Sequence, residues 1–198
     1  MSKLAAQQKR ITALSATRVL TVCAVMIALT VVMARLLIPM PNATTRFSLE
    51  AVPVFLAGML CGPLAGGLVG FAADLIGTLF SGYGYNPLFC LPPILYGVCA
   101  GLFRAKLRRK PSLAWIAAAF APAVVFGSVL WQSFTLTWVY GGDAFWPYLT
   151  TKLVTRSIQF VITFVLDVLI VYLLQKTGVF EAARLWSPVR SARKEEQK

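Results

Sequence analysis

Residues 50–80 read EAVPVFLAGMLCGPLAGGLVGFAADLIGTLF, and how often this stretch crosses a membrane decides the fold. A spanning helix takes about 20 apolar residues, within a range of roughly 17 to 25. The stretch is long for one crossing and short for two. At its middle, Cys61-Gly62-Pro63 is a natural turn, because proline cannot continue a hydrogen-bonded helix and glycine reaches backbone angles closed to other residues.

Charge on either side decides between the two readings. Lys3, Lys9, Arg10 and Arg18 precede the first apolar run and put the amino terminus in the cytoplasm. One crossing by residues 50–80 would leave the cluster Arg104, Lys106, Arg108, Arg109 and Lys110 outside, together with Lys176, Arg184, Arg190 and Arg193. Two crossings return both groups to the cytoplasm, as the excess of cations on inner loops requires. The sequence therefore predicts an all-α integral membrane protein of six transmembrane helices, with both termini cytoplasmic. The expected helices run over about 15–38, 48–61, 63–80, 88–103, 112–140 and 147–176, in one membrane domain covering 1–198. Pro39 and Pro41 stop the first, Pro92 and Pro93 fall in the fourth, and Pro122 falls in the fifth. The basic tail 177–198 is expected in the cytoplasm. Its segment 179–186 is either a short amphipathic helix on the inner leaflet or a frayed end.

Composition agrees and closes several classes of chemistry. Of 198 residues, 58% are hydrophobic and 13% charged, and the mean hydropathy is +0.73; a soluble domain carries about 25% charged residues. The net charge of +12 sits between apolar runs, which points to membrane topology rather than nucleic acid. Histidine is absent, which removes most imidazole catalysis and most zinc and haem sites. Cys23, Cys61, Cys90 and Cys99 lie in apolar segments without a Cys-x-x-Cys pair and read as buried small hydrophobes. No nucleotide-binding loop, nucleophile elbow or metalloprotease motif occurs. No cofactor and no metal site is expected. A cleavable signal peptide is not expected either, since the first apolar run is too long.

Four cations remain for the outer half: Arg35, Arg46, Lys152 and Arg156. Lys152 and Arg156 share a helix face at i, i+4, and Gln159, Thr163 and Asp167 continue it as a polar stripe. Ionisable residues inside a membrane are costly and usually face a cavity or the bundle interior. Lys152 and Arg35 either do so or extend to the outer headgroups; Arg156 is too deep for that. Tyr83, Tyr85, Phe89, Trp138, Tyr140, Phe145 and Trp146 gather at the same end. They form either an interfacial belt or a wall on which a planar ligand stacks while Arg or Lys holds its anionic end. The glycine-rich segment 81–87 is a lid or only a turn. Asp74 is expected to be hydrogen-bonded internally, with an outer cation as one candidate partner. At the other end Thr17, Thr21, Ala24 and Ala28 form a smooth face of small side chains, suited to internal packing or to docking another helix.

These pieces together resemble the substrate-binding S components of energy-coupling-factor (ECF) vitamin transporters, and among them the folate family. The resemblance runs from about Ala24 to Gln159. Ala24-Val25-Met26-Ile27-Ala28 is similar to the Ala-x-x-x-Ala motif that S components present to the membrane T subunit. Arg46-Phe47-Ser48-Leu49-Glu50-Ala51-Val52-Pro53 looks like the start of the family's second helix. Leu56 to Pro63, then Gly66, Gly70 and Asp74-Leu75-Ile76-Gly77, resemble its second and third helices and form the most specific match. Two places depart from the pattern. Gln132-Ser133-Phe134-Thr135 stands where folate S components show Asn-Thr-Leu-Trp ahead of a Tyr-Gly, here Tyr140-Gly141. The family's arginine early in the last helix falls on Lys152, with Arg156 one turn later.

The resemblance implies a high-affinity vitamin-binding subunit of an ECF-type importer in the bacterial plasma membrane, with folate leading. Riboflavin, thiamine, biotin, pantothenate and queuosine precursors are the alternatives. The implied partners are a T subunit docking at Ala24 and Ala28, two cytoplasmic ATPases and the bilayer, with no nucleic acid. Arg156, Lys152, Arg46, Arg35, Trp138, Tyr85 and Gln132 are the expected substrate-binding residues, and no catalytic residue is expected. One rival is a stand-alone secondary transporter using Asp167 or Asp74 as proton carrier, but no inverted repeat supports it. The other is a membrane enzyme, which the missing histidines and sparse acids disfavour.

Overall fold

The computed structural model describes residues 16–35, 38–39, 46–47, 49–80, 85–109 and 112–177. They form a helical bundle with one short strand pair. In chain order the helices are α1 (Ala16–Arg35), α2 (Ala51–Cys61), α3 (Pro63–Leu79), α4 (Leu91–Leu102), α5 (Arg104–Arg109), α6 (Leu113–Tyr140) and α7 (Phe145–Lys176). Strands β1 (Ile38–Pro39) and β2 (Arg46–Phe47) pair antiparallel, Ile38 opposite Phe47. Helices α1, α6 and α7 hold apolar windows long enough to cross a bilayer, while α2, α3 and α4 are shorter apolar helices. Leu20, Leu64, Leu68, Phe126, Val161 and many other large apolar side chains point outward, as a lipid-facing surface requires.

The division of residues 50–80 falls at Gly62. Its φ of +110° is open to glycine alone without strain, and Pro63 begins α3 at a position where a missing N–H costs nothing. Every residue of α2 from Ala51 to Leu60 is buried, so this short helix is the core of the bundle and not a peripheral span. Phe55 stacks on Phe120 of α6 at 3.9 Å with planes 4° apart, and Tyr96 of α4 meets Phe120 edge-on at 5.9 Å.

Helices α2, α3 and α4 touch backbone to backbone. A Cβ on Gly66 would lie 2.5 Å from Gly58 Cα, and one on Gly97 would overlap the Gly66 carbonyl. Small residues at such a seam let helices pack without intervening side chains. Pro92 and Pro93 start α4 and do not break it, because a 3-10 turn, Pro87–Cys90, precedes them with Leu88 N bonded to Asn86 Oδ1 at 3.1 Å.

Four features differ from the sequence expectation. The first helix, expected to reach 38, ends by Arg35 among the described residues, and Ile38 lies in a strand. The fourth, expected from 88, begins as helix α4 only at Leu91, after the 3-10 turn. The cluster 104–109, read as a loop, is a short helix held by Leu107, which is buried. Within α6 the stretch Ala123–Trp131 winds as a π-helix directly after Pro122, whose ring cannot donate to the carbonyl one turn back. The basic residues before 16, the glycine-rich residues 81–84 and the residues from 178 lie outside the described residues.

Candidate functional site

The two ends of the bundle are chemically distinct. One end carries the Gly62 turn, α5 and the last turn of α7, where Gln175 Nε2 meets Met59 Sδ at 2.9 Å. The other carries the segment 85–90, the end of α6 and the start of α7, joined where Trp131 Nε1 donates to the Leu88 carbonyl at 2.7 Å.

Arg156 lies eleven residues into α7, roughly 16 Å along its axis. It is half-buried, with Nη1 3.5 Å from the Ser128 carbonyl on the π stretch and Cζ 5.8 Å from the centre of the Phe160 ring. The contact to Ser128 sits at the long limit of a hydrogen bond, and no ion pair to Arg156 forms among the described residues. Ser128 is itself fixed, since its hydroxyl pairs with Tyr96 Oη at 2.8 Å. A guanidinium with five donors and so little local satisfaction can take an anion.

Lys152 behaves differently. Its Nζ lies 5.1 Å from the centre of the Tyr148 ring, one turn nearer the end of the bundle. The two cations share a helix face, but their heads diverge. Down the same face, Thr163 Oγ1 bonds back to the Gln159 carbonyl at 3.1 Å. Asp167 is 1% exposed, with Oδ1 lacking a hydrogen-bond partner among the described residues.

The aromatic candidates are separate. Trp138 is exposed and stacks on Phe134, 6.2 Å between ring centres. Tyr85 Oη lies 3.1 Å from Cys90 Sγ, whose thiol donates to Asp74 Oδ2 at 2.8 Å. Asp74 therefore has a thiol partner, and neither Lys152 nor Arg156 pairs with it among the described residues. Gln132 is half-buried where the π stretch returns to α-helix. Arg35 ends α1 and Arg46 lies in β2; their side chains lie outside the described residues. Tyr96 and Ser128 are polar partners that the sequence reading did not single out, and Cys90, expected as a buried small hydrophobe, is a hydrogen-bonding thiol. Pro122 is the one sequence signal near them, because it precedes the π stretch that carries Ser128.

On α1, Thr17, Thr21, Ala24 and Ala28 are all exposed. Thr21 Oγ1 bonds back to the Thr17 carbonyl at 2.9 Å, which leaves a smooth face of methyl groups. Among the described residues nothing covers this face.

The comparisons with known proteins converge on one kind of protein. The sequence model of the family described as "ECF-type riboflavin transporter, S component" matches residues 14–176. Among solved structures, the crystal structure of FolT bound with folic acid aligns with a TM-score of 0.57 at 26% identity, covering 75% of this chain and 91% of that chain. No curated protein matches.

Proposed function

The chain belongs to the ECF-type riboflavin transporter S-component family, and we propose that it is a high-affinity vitamin-binding subunit whose ligand is folate. The family is one of transporter subunits, not of enzymes, and the chain is a multi-pass membrane protein. Riboflavin in the family description and folic acid in the similar crystal structure differ in one chemical respect. Folate is a planar bicycle joined to a dicarboxylate, whereas riboflavin is neutral.

The observation that carries the folate reading is Arg156, half-buried at mid-helix with one long contact to a carbonyl. A desolvated cation of this kind is costly unless an anion completes it, and a neutral ligand would leave it incomplete. In this reading Arg156 holds a folate carboxylate, assisted by Lys152 and Arg46. Arg35 and Gln132 are further candidates for the ligand's polar contacts, and Tyr85 and Trp138 for rings that stack on it. Riboflavin is the second reading, favoured by the family description alone.

Docking to a membrane T subunit powered by two cytoplasmic ATPases, in a bacterial plasma membrane, completes the proposal. It is supported by the exposed face Thr17, Thr21, Ala24 and Ala28 and by the lack of a nucleotide-binding motif in the sequence. The test is calorimetry on the purified chain with folic acid, 5-formyltetrahydrofolate, riboflavin, thiamine, biotin and pantothenate. Nanomolar binding of a folate, with riboflavin inert, is the expected result. Tight riboflavin binding with no folate signal overturns the ligand assignment.

A further inference from the structure

At the Gly62 end of the bundle, Arg104 and Lys106 are cations that no carboxylate meets among the described residues. Between Asp74 and Asp143 the sequence has no acidic residue, yet Arg104, Lys106, Arg108, Arg109 and Lys110 fall within this interval. Helix α5 holds the first of them in place. Leu107, 1% exposed, anchors α5 in the core, and the amides of Lys106 and Leu107 each bond the Phe103 carbonyl at 3.0 Å. Neither Arg104 nor Lys106 forms an ion pair among the described residues.

Each of these two side chains is arranged for an anion. Arg104 packs over the bare Gly62 turn, its Nη1 3.6 Å from where a Cβ on Gly62 would stand. Its Nε is buried and has no acceptor among the described residues. Lys106 Nζ lies 4.3 Å from the centre of the Trp115 ring and 5.7 Å from that of Phe103, so the ammonium is held against ring faces. Around this pair the surface turns abruptly apolar: Leu102 is 68% and Leu113 47% exposed, and Leu113 begins the long apolar span of α6. Tryptophan and lysine at the edge of an apolar span mark the headgroup level of a bilayer. An anion at that level, beside outward leucines, is joined to hydrocarbon.

We propose that Arg104, over the Gly62 turn, and Lys106, backed by Trp115 and Phe103, hold the headgroups of anionic phospholipids whose acyl chains cover Leu102 and Leu113. The site is independent of the vitamin site, which lies at the opposite end. Free phosphate would satisfy the two cations but leave the leucines uncovered, and an acidic protein surface would compete for the same charges.

Native mass spectrometry of the full chain, with phosphatidylglycerol or phosphatidylcholine added to detergent, tests the assignment. The wild type should retain phosphatidylglycerol preferentially. The Arg104→Gln/Lys106→Gln double variant should lose that preference by roughly thirty-fold, as removal of two cations near an anionic headgroup predicts. Lys152→Gln, at the other end, should keep it. Unchanged vitamin binding by the double variant shows that it is folded. Equal retention of both lipids by the wild type overturns the site, as does displacement of the lipid by millimolar inorganic phosphate. Loss of a co-purifying acidic protein from the double variant, with no lipid preference in the wild type, assigns the patch to protein docking and overturns it too.

Discussion

Cys90 donates its thiol to Asp74 at 2.8 Å while Tyr85 reaches the same sulfur from the other side at 3.1 Å. The three residues tie α3 to the 3-10 turn that leads into α4. Asp74 is half-buried, so removal of the thiol leaves a carboxyl oxygen without its partner. An unsatisfied buried polar group costs about 1–3 kcal/mol. Cys90→Ala should lower stability by that amount in thermal unfolding in detergent, and Cys90→Ser should recover most of it. Equal stability of the two variants would show that the thiol only fills space.

The seam of α2, α3 and α4 gives a second prediction. A methyl on Gly97 would overlap the Gly66 carbonyl, and both neighbours are backbone, which cannot turn aside. Overpacking of this kind costs about 1–3 kcal/mol. Gly97→Ala should destabilise the bundle by at least that much. Gly77→Ala, where a Cβ meets nothing within 4 Å, should be close to neutral. A stability series on the two variants checks both.

Coupling is tested on α1. Ala24 and Ala28 are exposed, so tryptophan at both positions disturbs no packing among the described residues and adds bulk to the face proposed to meet a T subunit. The Ala24→Trp/Ala28→Trp variant should keep ligand affinity in calorimetry and lose uptake in cells carrying the other transporter subunits. Loss of binding together with uptake would place the face in the folding of this chain alone.

How far the sequence reached depended on whether a feature is local. The Gly62-Pro63 turn was legible because the two residues carry their own backbone preference and the flanking cations accept only one topology. The position of Arg156 at mid-helix was legible because it follows from helix rise. The contacts Cys90–Asp74 and Tyr96–Ser128 were not, since they join residues on different helices and depend on how closely the glycine seam lets α4 approach. Helix α5 was hidden for another reason: Leu107 is the one apolar residue among its cations apart from Ala105, too little for a periodic pattern. The π stretch after Pro122 was hidden as well, because a proline in a helix is accommodated by a kink, a break or a wider turn, and packing selects among them.

Arg156 and Lys152 separate the roles of the two cations on one helix face. Arg156 leans toward the Ser128 carbonyl, while Lys152 lies against Tyr148 nearer the end of the helix. If Arg156 takes the ligand carboxylate in a partly desolvated place, the charge-assisted hydrogen bond contributes about 1.5–3 kcal/mol. Arg156→Ala should then weaken folate binding by roughly ten- to a hundred-fold. Lys152→Ala should cost less, because an ammonium near the end of the helix exchanges its contact for water. Arg156→Lys should recover only part of the loss, since a point charge replaces a planar fork. The separation also appears in salt dependence: screening falls most on the charge nearer water, and Lys152 is one turn nearer the end of the helix, so raising ionic strength should shrink the Lys152 effect more than that of Arg156. Calorimetry on the three variants at low and high salt reads all of this. Equal, salt-sensitive losses at both positions would mean that neither cation is buried with the ligand, and the anion site proposed here would fall.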